Sequence, residues 1–401
     1  MLQSGYNGQR GVKVPTTLPN ARLVSATIHP DLIKPDARIT NMLPQFGQFL
    51  DHDLSLVAEG AETGIREQVN MLTSFVDGSN IYGSEDERHA FIRSFEKGKL
   101  RVNSANSKFP PTNAEIEAVF GTKPMVLGTF LAGDDRVNEM PGLLVMHTLW
   151  FREHNRIAEG IYNLMPFWDD EFIFQETRRL VLAEWQNVVY GEYLPTLLGM
   201  DTMNKYGLTL RDWWSNYDPN VDATVFHAFA DAAYRFGHTF SNGIIQLYRG
   251  LENIGSYRIR HNFFVDTQVV QDGGKGYDYI LNGLLIQNAQ TYDPFVTEDL
   301  TNHVLQLPTD DFGSDLIARN FQRGRDHGLP AWMEFRRLCG LETTTSWLNK
   351  PVEVVSDSWL KLQGLFQNPN EVDLFTGGII EVPMGEALTG PTFNCLKVSW
   401  E

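Results

Sequence analysis

The stretch 45–57, QFGQFLDHDLSLV, sets Asp51, His52 and Asp53 side by side in an otherwise apolar run. Ionisable side chains are expensive to keep in such surroundings without a partner or a task. In a helix each residue advances by about 100°, so Gln48 and His52 share a face, and Asp51 and Asp53 leave it on opposite sides. Three directions are then served at once. A histidine moves protons near neutral pH, and a His-Asp doublet is also what metal-dependent phosphohydrolases use, given further His and Asp ligands at suitable spacing. Taken alone, the triplet reads equally as the solvated acidic edge of a helix. Downstream, NMLTSFVDGSNIYGS alternates Thr73, Asp77 and Ser79 with apolar residues. Oxygen donors at every second position suit Ca²⁺, with Asp53 as a further acid, although an ordinary turn at Gly78 accounts for the same residues.

Three other runs hold candidate chemistry. In LAGDDRVNEMPGLLVMHTLWFREHNRIA, Arg136 and Glu139 stand i, i+3 just before Pro141, a spacing that most often makes a surface ion pair of small worth. In AYRFGHTFS, His238 follows Gly237 at the end of an apolar stretch, with Arg235 three residues earlier. A histidine in that setting is a core residue more often than a metal ligand. ARNFQRGRDHGLP crowds Arg319, Arg323 and Arg325 around Asn320. Local positive charge of this kind suits carboxylates such as haem propionates, with a solvated loop as the default.

These residues need a frame. Apolar residues recur at helical spacing from Ile39 to about Val57, with Met42, Leu43, Phe46, Phe49 and Leu50 on one face. Helices are also expected over 142–165, 169–198, 222–237 and 330–339, the second opening with an acidic first turn, DDEF. The strand signal is confined to IIQLYRG and NFFVDTQVV, expected to pair as a small hairpin. The first ~35 residues are rich in Pro, Gly and polar residues and read as an extended arm. No repeat or linker divides the rest, so the reading is an arm over 1–37 and one mainly helical unit over 38–401. At 401 residues the chain can bury a sizeable core. No apolar run approaches the ~18 residues of a membrane span. A net charge of -17 argues against a nucleic-acid partner. Only Cys339 and Cys395 are present, which leaves one bridge or two free thiols open.

Taken in order, GQFLDHDL, TSFVDGSNIYGS, AGDDRVNEMPGLLVMHTLWFREHNRIA, YRFGHTF, NFQRGRDHGLP and VDLFTGGIIE…GPTFNC resemble the animal haem peroxidases over about 20–396. The resemblance implies a mainly α fold with little β structure and haem b in its core. It further implies His52 as the distal histidine with Gln48 beside it, Arg136 as the distal arginine and His238 as the proximal iron ligand. Asn320 would hold the proximal imidazole and Arg235 a propionate. Asp51 and Glu139 match the carboxylates that members ester-link to haem, and Met140 the place where a third link through sulfur occurs. The family calcium site would fall on Asp53, Thr73, the Phe75 carbonyl, Asp77 and Ser79. The implied activity is reduction of hydrogen peroxide through a ferryl intermediate and oxidation of halide, thiocyanate or small phenolic donors, in a secreted protein of the oxidative-stress response. The same resemblance pairs Cys339 with Cys395.

The chain departs from the pattern between His52 and Thr73, where members usually carry a longer, cysteine-bearing insert. It also lacks the N-terminal cysteine region and the last helical segment, so it is expected to be partial, C-terminally truncated relative to the family, and its N-terminus carries no signal-peptide core. Two rivals use the same shell: a non-catalytic adhesion or matrix module, and a cyclooxygenase-like fatty-acid dioxygenase. The second places a radical-forming tyrosine three residues before the proximal histidine, where this chain has Arg235 and Tyr234 lies one further away.

Overall fold

The computed structural model describes residues 18–57, 68–124, 126–210, 218–306 and 309–398. The architecture is helical with little strand. Its core is one contiguous apolar cluster running from Val24 to Val398. Residues 1–17 of the expected arm lie outside the described residues, as does 58–67 of the shortened connection. The rest of the arm is not extended throughout. Ala21–Ile28 is a helix, capped by Asn20, whose side chain accepts the N–H groups of Arg22 and Leu23. Ala21, Val24 and Ile28 recur at i, i+3 and i+7, a period the Pro and Gly content concealed. Strand β1, Pro35–Thr40, then pairs antiparallel with β4, Asn288–Gln290.

The apolar face of Met42–Leu54 buries Phe46, Phe49 and Leu50 against the core. That helix packs on Pro141–Leu164 and on the turn that carries His238. Pro141 sits in the first turn of its helix, where its missing N–H is not needed. The expected helix over 169–198 is continuous but not uniform. Asp170–Val188 is α-helical, Val189–Tyr193 widens to a π turn, and Leu194–Leu198 resumes the α form. Pro195 has no N–H to continue the ladder, which accounts for the widening just before it. The π turn swings Tyr193 against the Met42–Leu54 helix so closely that a Cβ on Gly47 would lie 2.5 Å from its hydroxyl.

Two further expectations differ from the structure. The segment 222–237 is not one helix: His227–Asp231 is α-helical, the backbone breaks at Ala232, and Ala233–Phe240 is a 3₁₀ helix. Residues three apart eclipse in a 3₁₀ helix, so Arg235 and His238 fall on one face. The hairpin also forms with a nearer partner. Strand β2, Ile244–Arg249, pairs with β3, Glu252–Arg258, and NFFVDTQVV contributes a turn and the start of the helix Thr267–Gly274. Gly250, at φ +59°, opens a two-residue turn of the primed kind that hairpins favour.

Behind the His238 turn, Leu374–Ile379 and Pro391–Leu396 pack directly on it. These helices are tied to Trp332–Leu338 by a buried knot. The Glu381 carboxylate accepts from Trp332 Nε1 at 3.0 Å, from Thr392 N at 2.8 Å and from Arg336 Nη1 at 2.5 Å. A Cys339–Cys395 disulfide with a Cα–Cα distance of 6.1 Å closes the same corner, the pairing the resemblance implied. The connection after Asp53 is pinned at its neck. Val57 bridges Asn70, and the Asn70 side chain accepts Leu56 N at 2.9 Å and donates to Leu54 O at 2.9 Å.

His154 shows how firmly the Pro141–Leu164 helix is held. Its Nδ1 meets the Tyr82 hydroxyl at 2.9 Å and its Nε2 meets Gly98 O at 2.9 Å. One neutral tautomer satisfies both bonds, and burial lowers its pKa to about 4. Between pH ~6.5 and ~4 the unfolded chain therefore binds a proton that the folded chain refuses. Its contribution is complete above about pH 6.5 and is lost as pH falls through ~4, at about 1.4 kcal/mol per pH unit. Denaturant unfolding should accordingly show a larger stability gap between wild type and His154→Gln at pH 7.5 than at pH 4.5. An equal gap at both would contradict the assignment.

Candidate functional site

A cavity of about 320 Å³ is walled by the Met42–Leu54 helix, the loop before Pro141, the 3₁₀ turn and the β2–β3 hairpin beyond it. Gln48, Asp51, His52, Arg136, Glu139, Met140, Arg235 and His238 all line it. Asn320, the ninth residue expected around the haem, stands behind His238. Ile245, Ile259, Phe263, Leu284, Leu300 and Val304 supply apolar wall. The result is a pocket with a few polar groups in an apolar lining, the usual composition of a cofactor site.

His52 is 3% exposed. Burial, and then the Arg136 charge, hold its pKa well below the ordinary value, so the ring is neutral. Its Nδ1 is enclosed without a hydrogen-bond partner and lies 3.6 Å from Asp134 Oδ1, which leaves Nε2 for the cavity. Arg136 is gripped by Asp134 through Nε at 2.9 Å and Nη2 at 2.8 Å, and its Nη1 donates to Ser55 O at 2.9 Å. Burial opposes the guanidinium's charge, but the carboxylates of Asp134, Asp51 and Glu139 together outweigh it and raise the pKa. Asp51 accepts from the Ser55 hydroxyl at 2.8 Å and lies 3.9 Å from Arg136. Burial pushes the carboxyl groups of both Asp51 and Glu139 up. A chain of amides leads to Glu139: Gln45 Nε2 donates to Gln48 Oε1 at 3.0 Å, and Gln48 Nε2 reaches Glu139 Oε2 at 3.5 Å.

On the 3₁₀ turn, burial and then Arg235 lower the His238 pKa to about 3, so this ring is neutral too. Its Nδ1 meets the Asn320 amide nitrogen at 2.9 Å, and Arg235 Nη1 donates to Asn320 Oδ1 at 3.2 Å. Tyr234, also in the cavity wall, donates to the Tyr193 hydroxyl at 3.2 Å.

Below His52, both Asp53 oxygens are engaged. Oδ1 accepts Ser79 N at 2.6 Å and the Ser79 hydroxyl at 2.7 Å, while Oδ2 accepts Gly78 N at 3.0 Å and Trp185 Nε1 at 2.9 Å. Thr73 donates to Asp77 at 2.9 Å, and Ser79 N also reaches Asp77 at 3.2 Å. Thr73, Asp77, Ser79 and Asp53 thus form one hydrogen-bonded cluster, while the Phe75 side chain between them is exposed. Burial, with Asp77 adding to it, raises the Asp53 pKa to about 6. Carboxylates, hydroxyls and nearby backbone oxygens are the donor set of a hard cation.

The sequence reading missed several residues. Asp134 and His147 are buried beside His52, and Gln45 and the Tyr234–Tyr193 pair were not singled out. Asp134 was visible as the acid two residues before Arg136, a spacing that lets a carboxylate fold back on its neighbour; nothing local distinguishes His147.

Fold and cavity together define a helical protein with a cofactor-sized pocket served by two neutral histidines on separate elements. The chain belongs to the animal haem peroxidase family, whose model matches residues 2–64 and 58–399. It is 33% identical to the peroxidasin homolog of Mus musculus over 476 aligned positions, covering 99% of this chain and 32% of that protein. It is 36% identical to the thyroid peroxidase of Sus scrofa over 348 positions, covering 82% and 37%. The chain thus spans about a third of the length of these relatives. Peroxidase A of Dictyostelium discoideum superposes with a TM-score of 0.83 at 26% identity, covering 99% of this chain and 84% of that one. The 476-position alignment exceeds this chain's 401 residues, so relatives carry residues that this chain omits. The family match itself breaks in the connection after Asp53.

Asp53 is the acceptor on which this corner converges, so Asp53→Ala leaves the buried Trp185 indole N–H and the Gly78 N–H unanswered and the Ser79 N–H and hydroxyl with only their second acceptors, Asp77 at 3.2 Å and the Asp53 carbonyl at 3.1 Å. The expected loss is about 3 kcal/mol or more, read as a fall in denaturant midpoint. A loss below about 1 kcal/mol would mean that the corner does not depend on it.

Proposed function

We propose that this chain is a haem-dependent peroxidase that reduces hydrogen peroxide and oxidises small donors, halide or thiocyanate and phenols among them. The observation that carries the reading is the convergence of neutral His52, neutral His238 and charged Arg136 on one apolar-walled cavity. The residues fit haem b. His238 would hold the iron through Nε2, which puts a proton on Nδ1; the Asn320 amide would then turn end over end to present its oxygen there. Arg235 would meet a propionate, and Asp51 and Glu139 would form the ester links to haem, with Met140 beside them. Bound haem supplies the electron-transfer chemistry with peroxide and donor.

The protein's own share is proton handling and charge. His52, neutral and with Nε2 toward the cavity, takes a proton from one oxygen of hydrogen peroxide and returns it to the other, which leaves as water. Arg136, locked by Asp134, stabilises the negative charge that develops on the departing oxygen. Gln48 holds the same wall by its bond to Glu139. We further read Asp53, Thr73, the Phe75 carbonyl, Asp77 and Ser79 as a Ca²⁺ site that would clamp the His52 helix to the Ser79–Tyr82 turn. The disulfide suits an oxidising, extracellular setting, and 38–401 is the unit we assign to catalysis. Among the described residues no helix is long and apolar enough to cross a membrane.

Expressed with haem available, the purified chain should show a Soret band that shifts on adding hydrogen peroxide. His52→Ala should keep the band and slow the shift by about 10²–10⁴-fold. Soluble, folded protein that takes up no haem would sink the reading. For the cation, EGTA should lower the melting temperature by several degrees, with Ca²⁺ restoring it better than Mg²⁺. An unchanged transition would remove calcium from the proposal.

A further inference from the structure

Asp134 stands where the two peroxide-handling side chains meet. It is 3% exposed. Its oxygens take Arg136 Nε and Nη2 at 2.9 and 2.8 Å, and Oδ1 also accepts the Arg136 backbone N–H at 2.8 Å. The same Oδ1 faces His52 Nδ1 at 3.6 Å, slightly beyond a direct hydrogen bond. Among the described residues no other polar atom answers that nitrogen. Other charged or titratable groups surround the pair. The His52 helix contributes Asp51, the same loop adds Glu139, and the 3₁₀ turn adds Arg235. From the Pro141–Leu164 helix comes His147, buried beside them.

A neutral imidazole has one N–H and one lone pair, and what each nitrogen faces decides which is which. Burial alone would raise the Asp134 pKa, but its neighbours together, Arg136 foremost, outweigh burial and keep the carboxylate ionised. With the proton on Nδ1, the ring points an N–H at that carboxylate. With the proton on Nε2, it would turn a lone pair toward a negative charge in a dry setting. The first arrangement leaves Nε2 bare toward the cavity. We propose that Asp134 is the positioning residue of this site: it fixes His52 as the Nδ1–H tautomer, so that Nε2 receives the peroxide proton, and clamps Arg136 beside it. The catalytic consequence rests on the peroxidase reading, whereas the tautomer belongs to the chain alone.

The tautomer can be read by ¹⁵N NMR on the full chain labelled at histidine, before haem is added, with the His52 signal identified by its loss in His52→Gln. A protonated Nδ1 and a bare Nε2 are expected in the wild type. A proton on Nε2 there overturns the proposal without any variant. Asp134→Asn keeps the shape but offers an N–H where the carboxylate accepted. It should flip or mix the tautomer and, with haem bound, slow the reaction with peroxide by about 10²-fold. The later donor-oxidation step should be unchanged, and Asp134→Glu should restore part of the peroxide rate. A folded Asp134→Asn protein that keeps the wild-type tautomer and rate also overturns it. Haem-loaded wild type that ignores peroxide, while His52 is the Nδ1–H form, would instead defeat the peroxidase reading and leave the positioning role standing.

Discussion

The constraint on which the rest of this structure depends is the desolvation of charge around one cavity. Asp51, Asp134, Arg136, Glu139 and Arg235 converge there with two imidazoles, and an isolated ion in such a place costs several kcal/mol. The chain resolves this with two devices. Asp134 and Arg136 meet in a two-pronged pair that keeps both ionised. The histidines instead give up their charge, since burial carries both pKa values below the ordinary range. Neutral imidazole is also the form that accepts a proton or a metal. The same desolvation that threatens stability therefore sets the chemistry the pocket can do.

Such a balance holds only if the walls do not move, and the surrounding elements are tied accordingly. The His52 helix is fixed below by Asp53, whose carboxylate answers four donors, and at its side by contact between Gly47 and Tyr193. The His238 turn is backed by helices joined through Glu381, Arg336 and the disulfide. The described ends of the connection after Asp53 are pinned by Asn70 to Leu54 and Leu56, which ties down the C-terminal end of the helix that carries His52.

Much of this was legible in the sequence because helical period and motif order are local properties. The helix carrying His52, the helix after Pro141 and the long helix from Asp170 follow from apolar spacing and turn chemistry alone. Other features depend on distant partners. The 3₁₀ form of Ala233–Phe240 follows a backbone break at Ala232 that its apolar pattern does not announce. The β2–β3 hairpin hinged on Gly250 rather than on the more strand-like run at 262–270, because a two-residue primed turn favours the nearer partner. The helix at Ala21–Ile28 was hidden by neighbours rich in Pro and Gly. The haem-side residues were found as a set only through the family resemblance, since each alone had an ordinary structural explanation.

Asp134 shows why composition and motif reading stop short of mechanism. In the sequence it is one of two adjacent acids before an arginine, and the two have opposite fates. Asp135 pairs with Arg88 at an exposed position, while Asp134 is almost wholly enclosed. Nothing in the dipeptide selects between them. The choice is made by tertiary placement, because Gly133 packs directly against the backbone at Asn80 and Ile81, where a Cβ would come within 2.5 Å of Gly83 N. That close approach turns the next residue inward, to where the Arg136 guanidinium and the His52 ring can both be answered by a single carboxylate. A larger residue at 133 would push this loop outward and separate Arg136 from His52, although the helix that carries His52 had not changed.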